Sequence, residues 1–131
     1  MLHYRVTIPE DVQLIDANEY LNISKELVIQ GLSIPTLKAW SFINNKKVIA
    51  IILANEFCKD FYSIGIIVCK DIKPSELKYI KRSVKEIVKF YGAKYVYSEG
   101  ETHPVKDKFH QFMGFEIEKD LGIFKKWQYK M

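Results

Sequence analysis

Between positions 77 and 91 the chain repeats its apolar residues at helical spacing: Leu77, Ile80, Val84, Ile87, Val88 and Tyr91 fall on one face, with Lys78, Arg82, Lys85 and Lys89 opposite. A helix so cleanly two-sided must lie on an apolar surface. The neighbouring segments supply one, because SIGIIV before the helix reads as a buried strand and KYVYS after it as another. Gly92 ends the helix between them. Helix and strand alternating in this way define an α/β chain in which helices cover a sheet.

The remaining elements follow from the same periodicities. LHYRVTI, Leu2 to Ile8, alternates as a first strand, and Thr7 followed by Pro9, Glu10 and Asp11 is a helix-start signal with acids in the first turn. Val12, Leu14, Ile15, Tyr20 and Leu21 continue it at helical spacing, and a second helix is expected from Ser24, as its cap, to Gln30, stopped by Gly31. Leu37 to Ile43 and Lys47 to Ala54 read as a hairpin closed by Asn44-Asn45-Lys46. Phe61 to Cys69 is the next strand, in which Gly65 marks either a bulge or a close backbone approach. After KYVYS come a short helix from Val105 to Phe112, ended by Gly114, and two strands, Phe115 to Lys119 and Ile123 to Tyr129. The order is β-α-α-β-β-β-α-β-α-β-β, a mixed, mostly antiparallel sheet with helices on both faces, built as one domain from the 131 residues.

Composition narrows the function classes. The net charge of +4 arises from 20 basic against 16 acidic residues that are interspersed, so there is no massed basic footprint for a nucleic acid. Cys58 and Cys69 lie apart without a CxxC pattern, which points away from a disulfide framework and fits a reducing compartment. His103 and His110, seven apart, bring no third ligand near them, and no metal is expected. No apolar run reaches the ~18 residues that a membrane span requires. The expected location is the cytoplasm of the producing cell or the inside of a particle assembled there.

The junction CKDIKPSELK, residues 69–78, carries the chemistry question. A strand-to-helix junction is a ready anion site, because the helix N-terminus presents backbone N–H groups and a positive dipole end. Lys70, Lys73 and Lys78 would attract a phosphate. There is no glycine to let backbone approach it, and Glu76 stands where it would need room.

Two segments resemble a known family. YRVTIPEDVQLI, an arginine followed by an acid-containing helix start, is similar to the first strand and helix of the Gcn5-related N-acetyltransferases (GNAT), and HPVKDKFHQFMGFEIEKD resembles that family's closing signature, best in FMGFE at 112–116. The resemblance implies a sheet splayed between its fourth and fifth strands, with acetyl-CoA in the V. The pyrophosphate would lie on a loop of the form Arg/Gln-x-x-Gly-x-Gly/Ala. That pattern sets Lys73 at the basic position, Glu76 at the first glycine and Lys78 at the second. It further implies main chain of Ile66, Ile67 and Val68 along the pantetheine, and Lys70, Lys73 and the amides near Ser75 on the pyrophosphate. His103 falls at the family's Asn, Lys106 at its Ala, and His110 at the Tyr that protonates the departing thiolate; Glu99 or Glu101 is the candidate base. A narrower resemblance, in residues 24–40 and 103–115, is to degenerate acetyltransferase-like proteins of tailed phages, including internal virion proteins of short-tailed phages.

Two functions follow from different classes. The lost glycines favour a non-catalytic phage protein that keeps the fold and binds other virion proteins. The alternative is an acetyl-CoA-dependent transferase acting on an amine.

Overall fold

The computed structural model describes residues 1–17 and 25–130. Along the chain come β1 (Leu2–Val6), α1 (Pro9–Leu14), α2 (Lys25–Gly31), β2 (Leu37–Asn44), β3 (Lys47–Cys58), β4 (Phe61–Val68), α3 (Pro74–Phe90), β5 (Tyr95–Glu101), α4 (Pro104–Met113), β6 (Glu116–Asp120) and β7 (Phe124–Lys130). This is the element order expected from the periodicities. Ser24, Tyr20 and Leu21, expected to cap or line the early helices, lie outside the described residues.

The strands form one sheet ordered β1-β2-β3-β4-β5-β7-β6, antiparallel throughout except for the parallel pair β4 and β5. β3 is its spine, buried on both faces from Val48 to Ala54. Side chains alternate across a strand, so the helices can be assigned to faces by their contacts. Asp11 of α1 bonds Ser41, placing α1 on the Ser41 face. Tyr79 of α3 meets Phe42 edge-on at 6.1 Å, placing α3 on the other, where Ile80 is wholly buried. The β2–β3 hairpin turns on Asn45 and Lys46, both at positive φ (51° and 67°), as a two-residue turn matched to strand twist requires.

Several expectations are corrected. α1 begins at Pro9 with Ile8 as its cap residue; Thr7 instead is buried at the end of β1, its hydroxyl 2.8 Å from that of Ser41. The cap comes from Asp11, whose carboxylate accepts the Ile8 N–H at 3.0 Å and two bonds from the Arg5 guanidinium at 2.7 and 2.8 Å. Gly65 makes no bulge, since Leu53 pairs it in continuous register. β7 lies inside the sheet, paired to β5 along its length and to β6 from Lys125 to Gln128, so β6 and β1 are the edge strands. Gly114 at φ 95° ends α4, and a Cβ there would come within 2.8 Å of the Tyr129 ring.

Candidate functional site

The ladder between β4 and β5 is short. It joins Phe61–Tyr95, Tyr62–Val96 and Ser63–Tyr97, after which β5 pairs only with β7 and the main chain from Ile64 to Val68 continues without β5. The sheet is therefore open beyond Ser63, as the splayed arrangement requires. On the Ser41 face the opening widens into a groove of about 800 Å³ that reaches Leu37, Leu53 and Asn55. On the α3 and α4 face it leads to a recess of about 30 Å³ closed by Phe109, His110, Met113 and Phe115. Ile64, Gly65 and Ser98 line both spaces. Gly65, without a side chain, fills neither of them.

The groove wall is aromatic. Phe61 stacks on Tyr95 (5.1 Å between centroids) and on Tyr97 (6.1 Å), and the half-exposed Phe57 leans on Tyr97 at 5.9 Å. Glu99, Glu118 and Lys126 form its polar rim. Desolvation, reinforced by the charge on Glu118, raises the Tyr97 pKa, so its phenol stays protonated. Glu99 and Glu101, expected beyond the fifth strand, lie within it, because β5 runs three residues past Ser98. Glu99 faces the groove, whereas Glu101 is not part of its lining.

His110 is positioned from three sides. Its ring lies parallel to Trp127 at 4.8 Å and meets the edge of Phe115 at 5.6 Å. Nδ1 is 2.8 Å from the Lys106 carbonyl oxygen, one helical turn back. That oxygen can only accept, so Nδ1 carries the hydrogen of the neutral ring and Nε2 keeps its lone pair. Nε2 lies 2.8 Å from Ser98 Oγ, whose hydroxyl donates to it. Burial lowers the His110 pKa, against the opposing pull of the Lys106 carbonyl and the Asp107 charge, which keeps the ring neutral at pH 7. His103 caps α4, its Nδ1 accepting the Val105 N–H at 3.1 Å.

The β4–α3 junction is closed differently from the phosphate-loop pattern. Glu76 is buried, its Oε1 accepting the Lys73 N–H at 2.9 Å and its Oε2 accepting from Asn44 Nδ2 at 2.8 Å. The helix start is thus capped by its own carboxylate. The N–H groups of Cys69 and Lys70 are also engaged, by the carbonyls of Ile49 and Asp16. Lys70 pairs with Asp16 at 3.0 Å, while Lys73, Ser75 and Lys78 are exposed around the helix start. Of the strand residues expected along the pantetheine, Ile67 and Val68 are fully buried and Ile66 is partly so. Cys69 is buried too, and desolvation pushes its thiol up to about 11, which makes it an inert core group.

Among the described residues no three of His, Cys, Asp and Glu converge as a metal site, and no helix is long and apolar enough to cross a membrane. Of the residues singled out from the sequence, Glu99 lines the groove and His110 the recess; Ser98, Phe57 and Phe61, which also line these spaces, were not singled out. The signal available for the shelf of Phe57 and Phe61 was the run of aromatics in the fifth strand, Tyr95 and Tyr97, on which Phe61 stacks.

No family model matches the sequence, and no curated protein matches it. Solved structures do. A protein assigned to the GNAT acetyltransferases from Desulfovibrio desulfuricans is 14% identical, with 99% of each chain covered and a TM-score of 0.79. The PaiA N-acetyltransferase of Thermoplasma acidophilum in complex with coenzyme A is 12% identical, over 100% of this chain and 99% of that one, with a TM-score of 0.77. The IAA acetyltransferase of Bacillus cereus is 15% identical, over the whole of both chains, with a TM-score of 0.75. With its sheet opened between β4 and β5 and its helices on both faces, the chain has the GNAT fold.

Proposed function

We propose that the protein transfers an acyl group from an acyl-CoA thioester to an amine with an apolar or aromatic body. The observation that carries this reading is the opening past Ser63, where Ser98 lines both the aromatic groove on one face and the recess of His110 on the other. A ring or alkyl body would stack on Phe61 and Tyr97, and its ammonium would be drawn to Glu99 and Glu118. Glu99 is the base that would free the amine lone pair, and the departing thiolate would take the proton so released or one from water; His110, neutral with its hydrogen on Nδ1 toward Lys106, holds the Ser98 hydroxyl at the gap as a proton acceptor and is not the acid the resemblance implied. The CoA arm would follow the main chain of Ile66 to Val68, with Lys73, Lys78 and the amides of Ser75 and Glu76 at its phosphate end.

Glu76 favours a second reading, a non-catalytic protein that keeps the fold for binding. Its carboxylate occupies the helix start and repels an incoming phosphate. The virion role and phage partners draw no support from the solved relatives, which are acetyltransferases.

Thermal melting with and without millimolar acetyl-CoA separates the two readings, since ligand at a hundred times its dissociation constant stabilises the native state by about 2.7 kcal/mol. The transferase reading expects a rise in Tm and acetylation of 2-phenylethylamine in preference to spermidine. No shift in Tm together with no product from any amine would overturn it in favour of the binding protein.

A further inference from the structure

Ser98 and His110 have a geometry that amine acylation alone does not need. A hydroxyl donating to the free nitrogen of a neutral imidazole, with the other nitrogen held by a third group, is the arrangement that activates a serine nucleophile. Here the separations are 2.8 Å on both sides of the ring, and the third group is the Lys106 carbonyl. Trp127 and Phe115 prevent the ring from turning away. Ser98 also lines both the groove and the recess, beyond the point where the ladder between β4 and β5 has ended.

We propose that Ser98 is a nucleophile served by His110, and that the protein takes acyl groups onto Ser98 Oγ from activated esters and thioesters, hydrolysing them when no amine is bound. In the first step Oγ bonds to the acyl carbon as its proton passes to Nε2. The carbon–oxygen or carbon–sulfur bond to the leaving group then breaks, and the leaving group takes the proton from Nε2. In the second step His110 removes a proton from water, the resulting hydroxide bonds to the acyl carbon, and the ester bond to Oγ breaks. Oγ recovers its proton from Nε2, a carboxylic acid leaves, and the enzyme is restored. β4 main-chain donors beyond Ser63, which β5 does not engage, would hold the oxyanion.

The probe is p-nitrophenyl acetate, which needs no CoA site, so the outcome is independent of whether acetyl-CoA binds. Cys58, an exposed thiol on the groove wall, is first replaced (Cys58→Ala) so that it cannot compete. Acid-quenched protein should then carry one acetyl group on the peptide containing Ser98, and nitrophenolate release should show a burst. Ser98→Ala should abolish label and burst. Ser98→Cys should restore the label, which shows that the fold survives substitution there. His110→Gln, with folding verified by circular dichroism, should slow acylation by about a hundredfold or more. Label that persists in Ser98→Ala, label found only on lysines, or an unchanged rate in His110→Gln would each overturn the proposal.

Discussion

The starts of α1 and α3 are built alike and serve differently. Each reads residue-Pro-residue-acid, Ile8-Pro9-Glu10-Asp11 and Lys73-Pro74-Ser75-Glu76, and in each the acid folds back to accept the N–H of the residue before the proline. Proline suits this first helical position because its missing N–H would have had no partner there. The difference lies in what holds the carboxylate from the other side. Asp11 receives a two-pronged bond from a guanidinium and a third from the Ser41 hydroxyl, whereas Glu76 receives a single bond from the Asn44 amide. The first is therefore a structural anchor tying α1 to β1 and β2. The second ties α3 to the β2–β3 hairpin at the junction where the sequence resemblance implied a phosphate loop.

The largest effect should come from breaking the anchor. Asp11→Ala removes the cap and leaves Ser41 and Arg5 without their acceptor, and urea denaturation should show a loss of about 2–3 kcal/mol. Arg5 can turn to water, being 41% exposed, which limits the cost. The sign of the pH dependence follows. Desolvation pushes the Asp11 carboxyl up, but the bonds from Arg5, Ile8 and Ser41 outweigh it and hold the pKa below its usual value. Its contribution is thus complete above the unfolded value of about 3.9 and is lost as pH falls through the lower folded value. The stability gap between wild type and Asp11→Asn should close across that acid window, and a gap that stays constant with pH would show that the charge on Asp11 is irrelevant.

A smaller and more informative effect concerns α3. Glu76→Gly with Lys78→Gly removes the carboxylate from the helix start and lets backbone approach an anion, at a helix-propensity cost of about 1 kcal/mol per glycine. Titration calorimetry should show coenzyme A binding tighter by about tenfold or more, equivalent to 1.4 kcal/mol. Binding that is no tighter in a double variant that still folds would mean that the α3 start is no longer a phosphate seat and that Glu76 is only a cap.

These two starts also mark how far the sequence could be read. Helical stripes and strand runs are local, and they set the element order, down to the neighbouring acids that begin α1. The resemblance carried in YRVTIPEDVQLI corresponds to a physical contact, since its arginine and second acid are the Arg5–Asp11 pair. Glu76, in contrast, was legible only as an obstruction. Its role depends on Asn44, which is 32 residues away and reaches it only once the hairpin has formed. The place of β7 between β5 and β6 was hidden for the same reason, because strand order is decided by long-range pairing that leaves no period in the chain. Ser98 had no signal at all: a lone serine in a strand acquires meaning only when α4 brings His110 onto it.

The smallest expected effect sharpens the contrast between the two caps. Asn44→Ala deletes the one bond that Glu76 receives, among the described residues, from outside its own helix start, while the carboxylate continues to cap the Lys73 N–H. Glu76 is nearly fully buried, 5% exposed, so one of its carboxylate oxygens would lose a donor in a partly dry setting. A hydrogen bond to a charged group contributes about 1.5–3 kcal/mol, but Asn44 is partly exposed and water can replace its amide, so a loss of under about 1 kcal/mol is expected. The same substitution made in Glu76→Gln should cost less still, because the acceptor is then uncharged. If the double-mutant cycle gives no coupling, Asn44 merely lies beside Glu76, and the α3 cap stands alone where the α1 cap is held by its neighbours.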